Sequence, residues 1–371
     1  MDSVFVSSCR LSAAVMKDVI HSFHQADEEK NNGVLKHIGL GQDTFTVFSK
    51  HSSMQANSSR TLWMIGSFEH EIKEIVLSRF EHVGTAAFHD IQGAFFCIIV
   101  DTVNHTFFAA RDRHSLAPFY YGQTANGHYL FSTSIFALHH AVRHVYTFPP
   151  GHVFARRIGW RSFSPAGDST VSKLSHEDTV VLLFGDEASY KLVVSCPADK
   201  RQTCWAGLIS SENNKTVQQA ARTLDSQHYT YVYNTAELIT SIPNIIYAVE
   251  GWNRELIRQA VPYYFALKKA AEVAGTAAVA LTDSAMGRIV QKIGASFSLS
   301  VKTPFLHGHA SPVLLNQSEA SILRAHANNV IGEKEFKQIQ QQTTCLIRSK
   351  EEAWYYQLYH EYMPSNVPDC L

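Results

Sequence analysis

The sequence predicts two domains of different construction, a mixed and β-rich α+β domain followed by an α/β domain with a parallel sheet. The first half contains short apolar runs separated by turn residues, which is typical of paired strands. The second half alternates apolar runs with helical periodicity, which indicates strands joined by crossover helices. Residues 156–175, rich in Ser, Gly and Arg, separate the two patterns and are the candidate linker.

Length and composition fit a globular protein of two domains, or of one large α/β domain, and exclude some classes of protein. Of 371 residues, 45% are hydrophobic and 18% are charged, and the formal net charge is -1. This charge balance argues against a nucleic-acid-binding surface. Since no apolar run reaches the roughly 18 residues that a membrane span needs, we expect no transmembrane segment. Residues 1–24 carry a faint targeting bias, which leaves the compartment open between mitochondrion and cytoplasm.

Three segments of the first half are predicted to be strands. Residues 94–100 form a continuous apolar run, as a strand buried on both faces requires. A polar turn and a second apolar run at residues 106–110 indicate a hairpin. Residues 129–132 follow the turn signal Asn126-Gly127 and predict a third strand. The breaker residues 149–151, Pro-Pro-Gly, end this region.

The second half is predicted to contain four strands and two long helices. The strands are expected at residues 179–184, 204–208, 229–233 and 277–281, and the helices at residues 213–224 and 253–273. The longer helix is predicted from apolar residues at a spacing of four, such as Leu256, Ala260 and Tyr264. Because strands that alternate with helices form a parallel sheet, a ligand is expected at the carboxyl ends of the strands.

Side chains that commonly bind metals occur in the sequence, but their spacing does not complete a metal site. Six cysteines show no paired spacing, and Cys97, inside an apolar run, is expected to be a core residue. Among twenty histidines, His139, His140 and His144 fall on one predicted helix. We expect them to be surface residues, because further ligands and supporting contacts would have to come from elsewhere.

One segment carries a specific family resemblance. Residues 110–121, Ala-Arg-Asp-Arg-His-Ser-Leu-Ala-Pro-Phe-Tyr-Tyr, resemble the segment ARDRxGxxPLYY of the asparagine synthetase and β-lactam synthetase family, with Ser115 in place of the glycine. Shorter segments resemble the same family in the same order, at residues 93–95, 131–138, 148–152, 257–270, 303–306 and 349–356.

The resemblance implies a fold for each half of the chain. It implies a glutaminase-type, Ntn-like αββα sandwich over residues 1–155 and an ATP-pyrophosphatase-like α/β domain, of the adenine nucleotide α-hydrolase-like type, over residues 176–371. The second domain is shorter here than in the family, most visibly between Phe305 and Ser349.

The residues that glutamine hydrolysis requires in this family do not match. The family uses an amino-terminal cysteine as nucleophile, whereas this chain opens Met1-Asp2-Ser3. Cys9 could serve only after removal of the residues before it. The family's oxyanion segment, NGEIYN, corresponds best to residues 65–70, which contain no asparagine to donate to an oxyanion. The sequence therefore predicts no glutaminase activity.

The nucleotide-binding segments also depart from the family. The family's SGGLDSS corresponds to a segment in which Phe184 replaces a phosphate-binding hydroxyl and Asp186 replaces a glycine. Asp186 and Glu187 then stand where phosphates would lie, and like charges repel there unless a metal bridges them. A rearranged loop in which both carboxylates bind Mg²⁺ is the alternative. In the second loop, SGEGADELFGGY, the acidic pair is replaced by Gly287 and Arg288.

Lys350 has two interpretations. It corresponds to the family's late active-site lysine, or it is a solvated side chain of the carboxy-terminal segment.

These departures together predict a pseudoenzyme that is not an enzyme and has no catalytic, cofactor-binding or metal-binding residues. We expect a structural or accessory subunit of a larger protein assembly, such as a mitochondrial complex. Its partners would be other protein subunits, with no cofactor, nucleic acid or small-molecule substrate. Two alternatives remain: an ATP-dependent amide ligase with a rearranged nucleotide loop, and a metabolite sensor that binds without turnover.

Overall fold

In a computed structural model, the contacts between residues divide the chain into two units, residues 1–172 and 173–371. The residues that the structure describes are 4–24, 33–40, 43–49, 54–57, 59, 61–68, 72–91, 93–156, 158–163, 178–184, 186–208, 213–281, 284–303, 317–343 and 345–363. Most of the candidate linker lies outside the described residues.

Two six-stranded antiparallel sheets form the framework of the first unit. The first has the order β10-β8-β9-β1-β3-β2 and the second the order β12-β11-β7-β6-β5-β4. The strands are β1 (Val4–Ser7), β2 (Val34–Leu40), β3 (Asp43–Ser49), β4 (Met54–Ala56), β5 (Leu62–Ser67), β6 (Phe96–Asp101), β7 (Thr106–Arg111), β8 (Tyr120–Gln123), β9 (Tyr129–Ser132), β10 (Val145–Thr147), β11 (His152–Ala155) and β12 (Gly159–Ser162). The helices are α1 (Ala13–His24), α2 (Ile72–Val83) and α3 (Ile135–His139).

The two sheets of this unit enclose an apolar core, and helices cover their outer faces. Alternate residues of β6 point to opposite sides, so Ile98 lies in the core between the sheets and Ile99 in a second cluster with α2. On the outer face of the first sheet, Phe23 of α1 stacks on Phe48 at 5.7 Å between ring centroids. The αββα sandwich is therefore confirmed. Cys97 is fully buried, as predicted.

The prediction for the histidine group is wrong in two respects. Helix α3 ends at His139, and the next N–H, that of His140, bonds in a tight turn to the carbonyl of Leu138. The three histidines therefore do not share a helix. His139 is only 5% exposed and lies in the interior, because α1 packs on α3, whereas His144 is exposed as expected.

A five-stranded parallel sheet of order β15-β14-β13-β16-β17 forms the centre of the second unit. Its strands are β13 (Thr179–Leu182), β14 (Gln202–Leu208), β15 (Gln227–Tyr233), β16 (Thr276–Ala278) and β17 (Ser300–Lys302). The helices are α4 (Glu187–Val194), α5 (Asn213–Thr223), α6 (Thr235–Val249), α7 (Arg254–Val273), α8 (Ser284–Ser296), α9 (Gln317–Val330), α10 (Glu333–Gln342) and α11 (Lys350–His360).

Helices lie against the parallel sheet as the alternating pattern predicts. One cluster joins α4 and α5 to β13 and β14 through residues such as Leu192 and Val217. Helix α7, with Ile257, Val261 and Phe265 buried, packs along β14 and β15. The parallel-sheet α/β fold is therefore confirmed. Among the described residues, no helix combines the length and apolar character that a membrane crossing requires.

Candidate functional site

The candidate nucleotide loop lies where theory places a ligand, at the carboxyl end of the central strand β13. This strand ends at Leu182, and α4 begins at Glu187. Asp186 caps the helix, because its Oδ1 accepts the N–H of Ser189 at 3.1 Å and also the hydroxyl of Ser189. A helix amino terminus attracts anions through its free N–H groups. Here the chain's own carboxylate occupies that position.

Phe184, which stands where the family has a phosphate-binding hydroxyl, makes apolar contacts. Its ring contacts Tyr263 of α7 edge-to-face, with 4.7 Å between centroids, and it packs against the apolar cluster under α4. Its N–H donates to Ser189 Oγ at 3.3 Å. The position therefore holds an aromatic contact between two elements instead of a phosphate-binding hydroxyl. Gly185 lies outside the described residues.

The two carboxylates of this loop have different partners. Glu187 is exposed and forms an ion pair with Lys191 at 2.5 Å, one turn along α4, which lowers the pKa of Glu187. Asp186 is held by Ser189. Within the described part of the chain, no group of three or more His, Cys, Asp or Glu side chains is placed to hold a metal ion.

The second predicted nucleotide loop is described only from α8 onward. Thr282 and Asp283 lie outside the described residues, as do residues 304–306 of the family-like turn. Gly287 is buried and Arg288 half-buried inside α8, so both belong to the helix and not to a loop. Lys350 opens α11, and its Nζ lies 2.8 Å from Glu333 Oε1 of α10. Its ammonium group thus joins two helices through an ion pair.

In the first unit, β1 is the strand that would follow an amino-terminal nucleophile. Residues 1–3 lie outside the described residues. The N–H of Val4 donates to Thr133 Oγ1 at 3.0 Å, and the carbonyl of Val4 accepts the Ser132 hydroxyl at 2.9 Å. Cys9 follows the strand and lies 3.3 Å from Ser7 Oγ.

The segment compared with the oxyanion loop belongs to a strand at its start. Gly66 is in β5, and a Cβ there would lie 2.4 Å from the carbonyl oxygen of Phe96 on the neighbouring strand. Close cross-strand approach therefore explains this glycine. Residues 69–70 lie outside the described residues.

The segment that carries the family resemblance forms a buried polar clamp. Arg111, fully buried, donates to the carbonyls of Phe148 at 2.8 Å, Ser115 at 3.1 Å and Ala117. Asp112 accepts three N–H groups of the following turn at 2.8 to 3.0 Å. Burial raises the pKa of Asp112, and the charge of Arg111 and the three N–H groups oppose that rise. Arg111 and Asp112 thus hold the turn after β7 in place through hydrogen bonds to its backbone.

Ser115 stands where the motif has a glycine, and its backbone conformation accounts for that glycine. Its φ is +59°, in the left-handed region that glycine enters without steric cost. The backbone conformation that favours glycine is therefore kept, although a serine stands there.

Comparison with known proteins agrees with this geometry. A model of the glutamine amidotransferase domain family matches residues 67–140. Asparagine synthetase [glutamine-hydrolyzing] of Sandersonia aurantiaca is 24% identical over 231 residues, which are 53% of this chain and 44% of that protein. A probable asparagine synthetase [glutamine-hydrolyzing] of Dictyostelium discoideum is 25% identical over 244 residues, 54% of this chain and 44% of that protein.

About half of this chain is therefore similar to asparagine synthetases, and residues 67–140 match a glutamine amidotransferase domain. The chain spans less than half the length of these curated relatives. Among solved structures, glutamine phosphoribosylpyrophosphate amidotransferase from B. subtilis, complexed with ADP and GMP, aligns with 87% of this chain and 93% of its own. Its sequence identity is 9% and its TM-score 0.36.

The prediction that the chain is not an enzyme is wrong by this comparison. The proteins that it matches are named as glutamine-hydrolysing asparagine synthetases, which are enzymes. Nothing in the described residues shows that catalysis has been lost. The differences at Phe184, Asp186 and Ser115 are facts of this chain, and they do not by themselves decide its activity.

Proposed function

We propose that this asparagine synthetase-like chain works as an accessory subunit of a larger protein assembly, with other protein subunits as its partners. The role concerns the place of the chain in an assembly and is compatible with turnover by the assembled subunit. The observation that carries the proposal is the outer edge of the first sheet, where β2 lies.

Strand β2 has the properties of an edge that pairs with another protein. It is seven residues long and bonded on one side only, to β3, within the described part of the chain. Val34 and Leu35 at its start are 58% and 46% exposed. A long edge strand with exposed apolar side chains is an open template for a further strand.

The polar side chains of β2, which would normally prevent another strand from pairing there, make contacts within this unit instead. Lys36 is the one charged residue of β2, and its Nζ lies 3.8 Å above the ring of Trp63. The cation is therefore held over an aromatic face instead of standing at the edge, where lysine discourages pairing. His37 contacts Thr46 of the neighbouring strand at 3.2 Å. These contacts favour a partner strand alongside β2.

Gel filtration of native extract, followed by mass spectrometry of the fractions, tests the proposal. We expect the chain well above its own mass of 41.5 kDa. The double variant Val34→Lys, Leu35→Lys should move it towards the monomer position. Val103→Lys, at an exposed apolar residue in the turn after β6, is the matched control and should change nothing. Elution of the natural chain as a 41.5 kDa monomer would refute the proposal.

A second candidate, an ATP-dependent amide ligase with a rearranged nucleotide loop, is favoured by the names of the relatives and by the position of α4 after the central strand. ATP–pyrophosphate exchange over a panel of carboxylates distinguishes the two. Exchange that Asp186→Ala abolishes would support the ligase, and absence of exchange with every carboxylate would count against it.

A further inference from the structure

A pocket of about 320 Å³ lies between α5 and the edge strand β15, away from the candidate nucleotide loop. Helix α5 covers the sheet through Val217 and Ala221 and leaves part of the edge strand uncovered. Because side chains alternate along a strand, His228 and Thr230 of β15 face the same side. Six residues line the pocket: Gln218, Ala221, Arg222, Ser226, His228 and Thr230. His228 is the second residue of β15, so the pocket borders the amino-terminal half of the parallel strands.

A chain of hydrogen bonds fixes the proton on His228. Ser226 donates its single hydroxyl proton to the carbonyl of Ala221 at 3.0 Å. Thr203 Oγ1, 3.0 Å from Ser226 Oγ, must therefore be the donor in that bond. Its oxygen is left to accept from His228 Nδ1 at 2.9 Å. Nδ1 thus carries a proton, and in the neutral ring Nε2 is a lone-pair acceptor.

Nε2 is buried and has no hydrogen-bond partner. Burial lowers the pKa of His228, which keeps the ring neutral. The charged residue that lines the pocket together with His228 is Arg222 from α5, while β14 contributes the uncharged Thr203. Among the described residues, no carboxylate forms an ion pair with Arg222, so its guanidinium group is available to an anion.

We propose that this pocket binds a small oxyanion, a phosphate or carboxylate group held by the guanidinium of Arg222, and that binding is coupled to proton uptake at His228. Guanidinium groups bind such anions through paired hydrogen bonds. A negative charge bound in the pocket favours the protonated form of His228, which burial otherwise disfavours. A proton on Nε2 makes the ring an imidazolium, and its positive charge adds to that of Arg222 at the pocket. This inference goes beyond the proposed function and does not depend on it.

Calorimetry of the full chain tests the proposal, with inorganic phosphate and with citrate as probes. Each titration is made in two buffers of different ionisation enthalpy, at about pH 6 and about pH 7.5, so that proton uptake is measured directly. We expect tighter binding at the lower pH. Arg222→Gln should weaken binding roughly tenfold or more, as loss of a charge-assisted contact implies. Arg324→Gln, on the exposed side of α9, is the matched control and should bind as the natural chain does.

His228→Asn separates the two parts of the proposal. Its amide N–H can still donate to Thr203, while the titrating ring is gone. We expect binding to persist with the buffer dependence of the heat removed. Proton uptake retained by this variant would overturn the coupling. Absence of binding for both probes, or equal binding by Arg222→Gln, would overturn the site itself.

Discussion

The burial of His139 predicts that acid destabilises the first unit. The side chain is 5% exposed, and neither ring nitrogen has a hydrogen-bond partner. Burial, together with the nearby His140 and His144, lowers its pKa from 6.5 to about 4. Between pH 6.5 and about pH 4, the unfolded chain therefore binds a proton at His139 that the folded chain does not bind. Stability that is complete above pH 6.5 is lost as the pH falls towards 4.

The size of this loss follows from the shift. At about 1.36 kcal/mol for each pKa unit, His139 removes about 1.4 kcal/mol at about pH 5.5 and about 3 kcal/mol at about pH 4. Replacement of His139 by leucine removes the titrating ring and its unpartnered nitrogens. The variant should therefore lose less stability than the natural chain between pH 8 and pH 5.5, by about 1.4 kcal/mol.

Urea unfolding read by hydrogen exchange and mass spectrometry is the assay. Peptides that span β9 and α3 report the first unit alone, which matters because two units can unfold separately. His82→Gln, at an exposed histidine of α2, is the control and should keep the pH dependence of the natural chain. If His139→Leu keeps that dependence as well, protonation of this ring is not the cause, and the argument from its burial fails.

Three further predictions concern single contacts, each read as a change in urea unfolding free energy. Glu351 is 2% exposed and bonded to Arg258 at 2.6 and 2.8 Å, so Arg258→Gln leaves a buried carboxylate without its charge partner. We expect a loss of about 3 kcal/mol or more, and a loss below about 1 kcal/mol would contradict this prediction. Asp186→Ala removes the cap of α4 and should cost about 1 kcal/mol, whereas Asp186→Asn should cost less; equal costs would contradict the capping role. Ser115→Val puts a branched side chain at φ +59° and should unfold more easily than Ser115→Gly by about 1 to 2 kcal/mol; the reverse order would show that the turn does not need this conformation.

The strongest local patterns of the sequence were sufficient for the fold. The run at residues 94–100 predicted a strand buried on both faces, and Ile98 and Ile99 do lie in different apolar clusters. Strand ends were less predictable. The apolar run at residues 277–281 predicted a longer strand than β16, which ends at Ala278 because its pairing with β13 and β17 stops there. Apolar character marks burial, whereas a strand also needs a neighbour at each residue.

Contacts between residues far apart in the sequence determine the positions of several side chains that the local sequence pattern did not predict. His139 was expected at the surface, but α1, more than a hundred residues earlier, covers it. Phe184 was read as a lost phosphate ligand, and its partner Tyr263 lies on α7, far along the chain. The Ser115 substitution looked like a departure from the family, although the backbone there still has the φ that glycine favours. Residue identity alone therefore understated how much of the fold is kept.

The capped loop at α4 illustrates why such differences do not decide activity. A helix cap is worth about 1 kcal/mol, whereas a ligand bound at micromolar affinity gains about 8 kcal/mol. Displacement of the Asp186 carboxylate from the helix by a phosphate group therefore costs a small part of that binding free energy. The charge of Glu187 is a smaller obstacle still, because Lys191 is paired with it. If the chain adenylates a carboxylate at this helix terminus, replacement of Asp186 should change the exchange rate, because its carboxylate caps the helix end that the phosphate would approach. An exchange rate unchanged in Asp186→Ala would mean that adenylation, where it occurs, uses a surface other than this helix terminus.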